Sequence, residues 1–240
     1  VALELERIEA AAWRDWHAAA RAEDRAALGL RGLDLDGAWL MAMDQVDSLL
    51  QNRVLGLGLY APATTDAIET LIEFYRGTRH GFAVNLCPFA APGSVGALLA
   101  GHGFATFFHH LKWVRGDAPP PAAGGPLRVE AVPAERAGAW GDLAARIHGS
   151  SAAHAAWASR CVGRAGWSHY LAYADEMPVA VAALFVHERA AWLGAAATLE
   201  SHRRQGAQGA LFARRIADAL DQGARVLTTE TAPDWPDLPG

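Results

Sequence analysis

Residues 192–231 read WLGAAATLESHRRQGAQGALFARRIADALDQGARVLTTET, and the reading of this stretch decides the fold. The small-residue run 191–199 predicts a strand, and the polar turn that follows holds Arg203, Arg204, Gln205, Gly206 and Gly209. A helix is expected to begin near Gly206, and 225–231 predicts a second strand. A strand feeding a glycine-containing turn that opens a helix leaves the first helical N–H groups unpaired. They point outward at the positive end of the helix dipole, where an anion is favoured. Two arginines and two glycines there predict a phosphate cradle. The turn is not a P-loop, because no Gly-Lys-Ser/Thr follows, and it has no G-x-G-x-x-G dinucleotide turn.

The spacing Arg203-x-x-Gly206-x-Gln208-Gly209-Ala210 resembles the Arg/Gln-x-x-Gly-x-Gly/Ala signature of the GNAT superfamily of acetyl-CoA-dependent N-acyltransferases. Gln208 stands where that family usually has Gly or Ala, with Gly209 one place later. The resemblance implies that the backbone amides from Arg203 through Arg204, Gln205, Gly206, Ala207, Gln208 and Gly209 to Ala210 hold the coenzyme A pyrophosphate. It also implies that Ala196, Ala197, Thr198 and Leu199, on the strand that splays from its neighbour, receive the pantetheine arm. Their small side chains would let a ligand approach the backbone.

The chain has 240 residues, 52% of them hydrophobic and 20% charged, a composition that predicts well-packed globular structure rather than disorder. A net charge of -5 with dispersed arginines gives no footprint for nucleic acid, and no apolar run is long enough to span a bilayer. Cys87 and Cys161 lie far apart without a C-x-x-C, against both a disulfide scaffold and a zinc site, and a cytoplasmic setting fits. His109-His110 is no metal pair, since adjacent strand residues face opposite ways.

Along the chain, 3–28 predicts one amphipathic helix with Leu5, Ile8, Trp13 and Trp16 on its buried face, and 29–37 breaks that pattern. Residues 38–50 are open between strand and helix. An apolar strand at 53–59, a helix from Thr65 (read as its N-cap) to about Arg76, a strand at 82–86, a helix through Leu98 and Leu99, and a closing strand at 106–114 complete the first half. The Pro/Gly-rich run 117–126 predicts an exposed linker. Beyond it come a strand, two helices, three antiparallel strands and the organising stretch.

The segments 54–86 and 192–231 share the order strand, turn, helix, strand, as an internal repeat would, but the first turn lacks the arginines and glycines of the second. The expected fold is therefore α/β (α+β): two tandem GNAT-like domains, each a mixed, mostly antiparallel twisted sheet flanked by helices. Residues 1–116 form a degenerate domain, 117–126 the linker, and 127–240 the acetyl-CoA-binding domain, which stops short of the final helix and strands that the repeat leads one to expect.

The activity implied is transfer of an acetyl group from acetyl-CoA to a primary amine of a small molecule or peptide, without a nucleic-acid or membrane partner and with a homodimer left open. Glu230, at the end of the last strand, is the expected general base. Glu200 and His187 are weaker candidates, and Trp235 is expected to line the acceptor pocket. The proton donor to coenzyme A, by resemblance a tyrosine on the domain's last helix, has no counterpart to name. A non-catalytic acyl-CoA sensor or an interaction protein is the alternative.

Overall fold

The computed structural model describes residues 2–122 and 127–231, which divide into two compact units, 1–108 and 109–240. The first unit opens with two helices where the periodicity predicts one: α1 (Ala2–Ala18) and α2 (Ala22–Leu28). The break follows from a local cap, because Arg21 is extended and its N–H donates to the Asp24 carboxylate at 2.9 Å, starting a new helix instead of continuing the old one. The segment expected to be a simple break is a strand, β1 (Leu30–Leu35), paired antiparallel with β2 (Ala38–Met43). Asp36 and Gly37, with φ of 49° and 86°, form the two-residue turn between them, a backbone geometry that an Asp-Gly pair accommodates readily.

Strand β3 (Arg53–Leu55) is shorter than the 53–59 expected, since Gly56 and Gly58 both adopt positive φ and end the extended run. Helix α3 (Thr65–Tyr75) follows, capped by Thr64 rather than Thr65: the Thr64 hydroxyl accepts the Ala67 N–H at 3.1 Å. The chain then returns as β4 (Ala83–Val84), parallel to β3, and ends the unit's regular structure with α4 (Val95–Gly101). Ile68, Leu71 and Tyr75 of α3 pack on Leu40 and Val54 of the sheet. On its other side, Arg53 pairs with Glu9 of α1 at 3.2 Å and lies 5.0 Å over the Trp13 ring, with both charged side chains almost fully buried.

The second unit holds a six-stranded sheet in the order β5-β10-β9-β8-β7-β6. Its strands are β5 (Leu111–Arg115), β6 (Arg128–Ala131), β7 (Trp167–Ala174), β8 (Met177–His187), β9 (Ala190–Thr198) and β10 (Val226–Thr231). Helices α5 (Ala137–His148) and α6 (Ala152–Ala158) precede β7, and α7 (Ala207–Asp221) links β9 to β10. Strand β8 is buried from Val179 through Phe185, as a central strand covered on both faces must be. One face carries Tyr170, Ala182, Leu184 and Leu193 against Leu211 and Ile216 of α7.

One strand corrects the sequence-based expectation. The run expected to close the first half instead supplies β5, which pairs antiparallel with β10 from Leu227↔Arg115 to Thr231↔Leu111. An open β10 edge would expose a row of unpaired backbone groups, and five residues of β5 satisfy it. The second unit thus begins at His109, ahead of the run 117–126, which joins β5 to β6 inside it and of which 123–126 lie outside the described residues. Both expected repeat segments are parallel crossovers, β3-α3-β4 and β9-α7-β10.

Opposite α7, the other face of the sheet buries His169 between the edge of Trp140, at a centroid distance of 4.7 Å, and the stacked ring of Trp167, at 5.5 Å. Neither ring nitrogen has a hydrogen-bond partner among the described residues, and burial pushes the imidazole from its ordinary 6.5 down to about 3. Because the folded state holds this histidine neutral, its contribution to stability is fully present above pH 6.5 and drains away as pH falls toward about 3. His169→Leu is therefore expected to flatten the loss of stability on acidification through that window. Urea midpoints measured between about pH 4 and pH 7 check it, and parallel pH slopes for the two proteins would exclude His169 as the cause.

Candidate functional site

Strands β9 and β10 run parallel and pair over only three positions, ending at Thr228↔Trp192. Strand β9 continues six residues further, to Thr198, on the side that β10 has left. The Thr229 hydroxyl reaches across to the Leu193 carbonyl at 2.8 Å, and beyond that contact the two strands part. The opening has a second cause on the side facing β8. Register shifts between Val181↔Ala197 and Ala183↔Gly194, so two β9 residues stand opposite Ala182, and Ala195 adopts a φ of 47°. Such a bulge bends the strand and re-aims its free edge.

Two side chains bracket this irregularity. From one face the Trp140 indole N–H donates to the Ala182 carbonyl at 3.3 Å. From the other, the buried Arg215 guanidinium of α7 donates to the carbonyls of Ala183 and Gly194 at 3.2 and 3.3 Å. Burial without a carboxylate partner pushes Arg215 down to about 10. Gly194 is required here for a steric reason as well, since a Cβ would lie 2.0 Å from the Trp192 ring.

Where β9 ends, the turn 199–206 climbs to α7. Arg204 has a φ of 60°, and Gly206, the N-cap, has φ 90° and ψ 0°, a conformation that favours glycine. These turns lead into the first turn of α7, which lines a groove of about 370 Å³ and whose first N–H groups have no partner within the helix. Ala196, Ala197 and Thr198 form its strand side; Arg203, Arg204, Gly206, Ala207, Gln208 and Gly209 form its loop side. Nine of the twelve residues expected to bind the coenzyme are thereby brought together.

The other three are not at the groove, each for a visible reason. The Leu199 N–H donates to the Val179 carbonyl at 2.9 Å, so its backbone belongs to β8. The Gln205 amide turns back to the Ser201 carbonyl at 3.2 Å. Ala210 is buried, and its N–H already donates to the Gly206 carbonyl inside the helix. His202, which the sequence reading passed over, does line the groove, with its Nδ1 2.9 Å from the Ser201 hydroxyl. Its place directly before Arg203 was the available signal. Gln208, the departure from the expected motif, uses its longer side chain to donate to the Thr198 hydroxyl at 2.9 Å, tying the helix start to the strand end.

A second hollow of about 160 Å³ lies where the strands part, lined by Leu193 and Thr229 together with Phe212 and Ile216 of α7 and Trp113 of β5. Glu230 follows at once on β10. Its carboxylate accepts the Trp192 indole N–H at 3.0 Å, and the Lys112 ammonium of β5 stands 3.8 Å away. Among the described residues the site therefore combines a helix N-terminus, the stretch of β9 that β10 leaves unpaired, and a carboxylate beside the point of divergence. His187 and Glu200 are both exposed, the former at the end of β8 with its ring stacked on Phe185. Trp235 and the segment 234–240 lie outside the described residues.

The fold is shared with a solved GCN5-related N-acetyltransferase. A GCN5-related N-acetyltransferase from Kribbella flavida superposes on 90% of this chain and 88% of its own, with a TM-score of 0.63 and 19% identity. The aminoglycoside acetyltransferase AAC(6')-Iy, solved with a CoA-containing bisubstrate analogue, covers 46% of this chain and 82% of its own at 16% identity and a TM-score of 0.40. A protein described as a predicted acetyltransferase, from Clostridium acetobutylicum and solved with acetyl-CoA, covers 45% of this chain and 82% of its own at 9% identity and a TM-score of 0.39. The fold assignment rests on the first of these. No protein-family model matches the sequence, and no curated protein is significantly similar to it.

Proposed function

We propose that the second unit is an acetyl-CoA-dependent N-acetyltransferase acting on a primary amine of a small molecule or peptide. The observation that carries this reading is the parting of β9 from β10 directly beside a helix N-terminus led by a left-handed glycine. That pairing provides an anion cradle for a pyrophosphate and an open strand edge for an amide-bearing arm. Acetyl-CoA, when bound, supplies the activated acyl group as a thioester.

In this reading the N–H groups from Gly206 to Gly209 hold the pyrophosphate, with Arg203 and Arg204 adding charge-assisted contacts. The edge from Ala196 to Thr198 pairs with the pantetheine amides, and a β9 N–H polarises the thioester carbonyl. Glu230 takes the proton from the acceptor amine. Bond-making needs no side chain beyond these, because alignment of a bound amine with a bound thioester supplies much of the rate.

The test is release of free thiol from acetyl-CoA over a panel of amines, combined with titration calorimetry. Amine-dependent thiol release is expected, with about one coenzyme bound per chain, since the first unit's turn at 60–65 has neither arginine nor glycine. Binding without thiol release would favour a sensor, a reading to which the existing contacts of Glu230 with Trp192 and Lys112 lend some support. Glu230→Gln keeps an oxygen for the Trp192 N–H but cannot take a proton. It is expected to lower kcat by about two decades near neutral pH and to recover partly at high pH, where more of the amine is already deprotonated. A wild-type pH profile in this variant would remove Glu230 from the role.

A further inference from the structure

We propose that Lys112 is itself an acetyl acceptor: given acetyl-CoA and no competing amine, the protein acetylates its own Lys112 side chain. This rests on the acetyltransferase reading above and adds to it a modification site.

The composition is the first observation. Of 21 lysine and arginine residues a single one, at 112, is lysine. Among the described residues arginine supplies most of the other side-chain ion pairs, as in Arg14–Asp34, Arg31–Asp44, Arg53–Glu9 and Arg214–Asp218. A guanidinium forms the better fork to a carboxylate and stays protonated, whereas an amine can lose its proton and attack a carbonyl. The one place where the chain sets an amine against a carboxylate is the place where the candidate base stands.

Position is the second. Lys112 faces Glu230 directly in the β5–β10 register. Its Nζ lies 3.8 Å from Oε1 of a carboxylate that also accepts from Trp192 on β9, so one carboxylate links the lysine of β5 to the strand that parts from β10. The two side chains retain only 16% and 17% of their exposure, which keeps the pair out of bulk water. At 3.8 Å the ammonium is in ion-pair contact with the base.

The chemistry balances. Glu230 takes one proton from the Lys112 ammonium, and the neutral Nζ attacks the thioester carbonyl carbon. A C–N bond forms and the C–S bond breaks, with its electron pair leaving on sulfur. The second proton on nitrogen passes to solvent and the coenzyme A thiolate takes one up. The product is a neutral acetamide on Lys112 and free coenzyme A. Because nucleophile and base belong to one folded chain, no bimolecular encounter with an acceptor is needed. Acetylation would also withdraw the ammonium from Glu230 and leave the acceptor side of the site more negative, favouring a cationic amine there.

The experiment uses the purified full chain with deuterated acetyl-CoA and no added amine, followed by intact mass and peptide mapping. One labelled acetyl group on the Lys112 peptide is expected, or an unlabelled one already in place on the protein as purified. Labelling should proceed at a rate independent of protein dilution, be absent in Lys112→Arg, be slowed at least about tenfold in Glu230→Gln, and be blocked by excess free coenzyme A. Labelling that persists under excess coenzyme A, or that marks the N-terminal amine of the purified protein equally, is solution chemistry and overturns the proposal. A thermal-shift titration with coenzyme A separates the two layers. If coenzyme A binds and an amine panel releases thiol while Lys112 stays unmodified, this inference alone falls; if coenzyme A does not bind, the acetyltransferase reading falls with it.

Discussion

Gly206→Val is expected to weaken acetyl-CoA binding by about two to four decades, the largest effect on the site of any single change. Gly206 sits at φ 90° as the N-cap of α7, a conformation that a β-branched residue resists, and it lines the groove with its backbone alone. Valine there would both rotate the N–H groups of the first turn and fill the space a pyrophosphate needs. Hydrogen bonds to a charged group contribute about 1.5 to 3 kcal/mol each, and the loss of two gives the stated range. Gly209→Ala is the companion variant, because an added Cβ there meets no protein atom within 4 Å. It should not lower Tm, because alanine is the better helix former, so any loss of affinity in it reports crowding of the ligand rather than of the protein. Titration calorimetry on both variants, with circular dichroism to confirm folding, decides the matter. Full affinity in a folded Gly206→Val protein would place the coenzyme elsewhere.

Arg53→Met is expected to destabilise the first unit by about 3 to 5 kcal/mol. The Arg53 and Glu9 side chains are 4% and 3% exposed, and they meet at 3.2 Å under the Trp13 ring. Removing the cation takes from the buried Glu9 carboxylate the ion pair that offsets its desolvation. Truncation is not the cause, since methionine fills comparable space. The double variant Glu9→Leu/Arg53→Met, which buries no charge at all, should therefore recover most of the loss. Hydrogen exchange in residues 1–108 as a function of urea measures the effect where it arises. A single variant within about 1 kcal/mol of the parent would mean that water or neighbouring groups already neutralise Glu9.

The αL turn at Gly206 was legible because glycine after a polar loop and before a helical period has few other uses. The Asp36-Gly37 turn carried an equally strong hairpin signal, yet it was absorbed into a break, because Asp34 and Arg31 mask the alternation of a strand whose outer face is exposed. The bulge at Ala195 could not be read from five consecutive small residues, since a bulge exists only relative to the register of a partner, here β8. For the same reason the pairing of the Leu199 N–H with the Val179 carbonyl cannot be read from the sequence.

The sequence by itself determined what depends on neighbours in the chain: the strand-turn-helix-strand order of 192–231, the glycine cap of α7, the amphipathic faces of α1 and α3, and the lack of an anion turn at 60–65. Only the tertiary structure decided what depends on distant partners. It placed β5 beside β10 rather than in the first sheet, parted β10 from β9 after three pairs, and set Lys112 against Glu230 across 118 positions of chain. The physical reason is the same in each case. Helix caps and turns are closed by hydrogen bonds between residues a few positions apart, so their residue types betray them. A strand's edge is satisfied by whichever backbone reaches it, and a backbone looks the same in every residue.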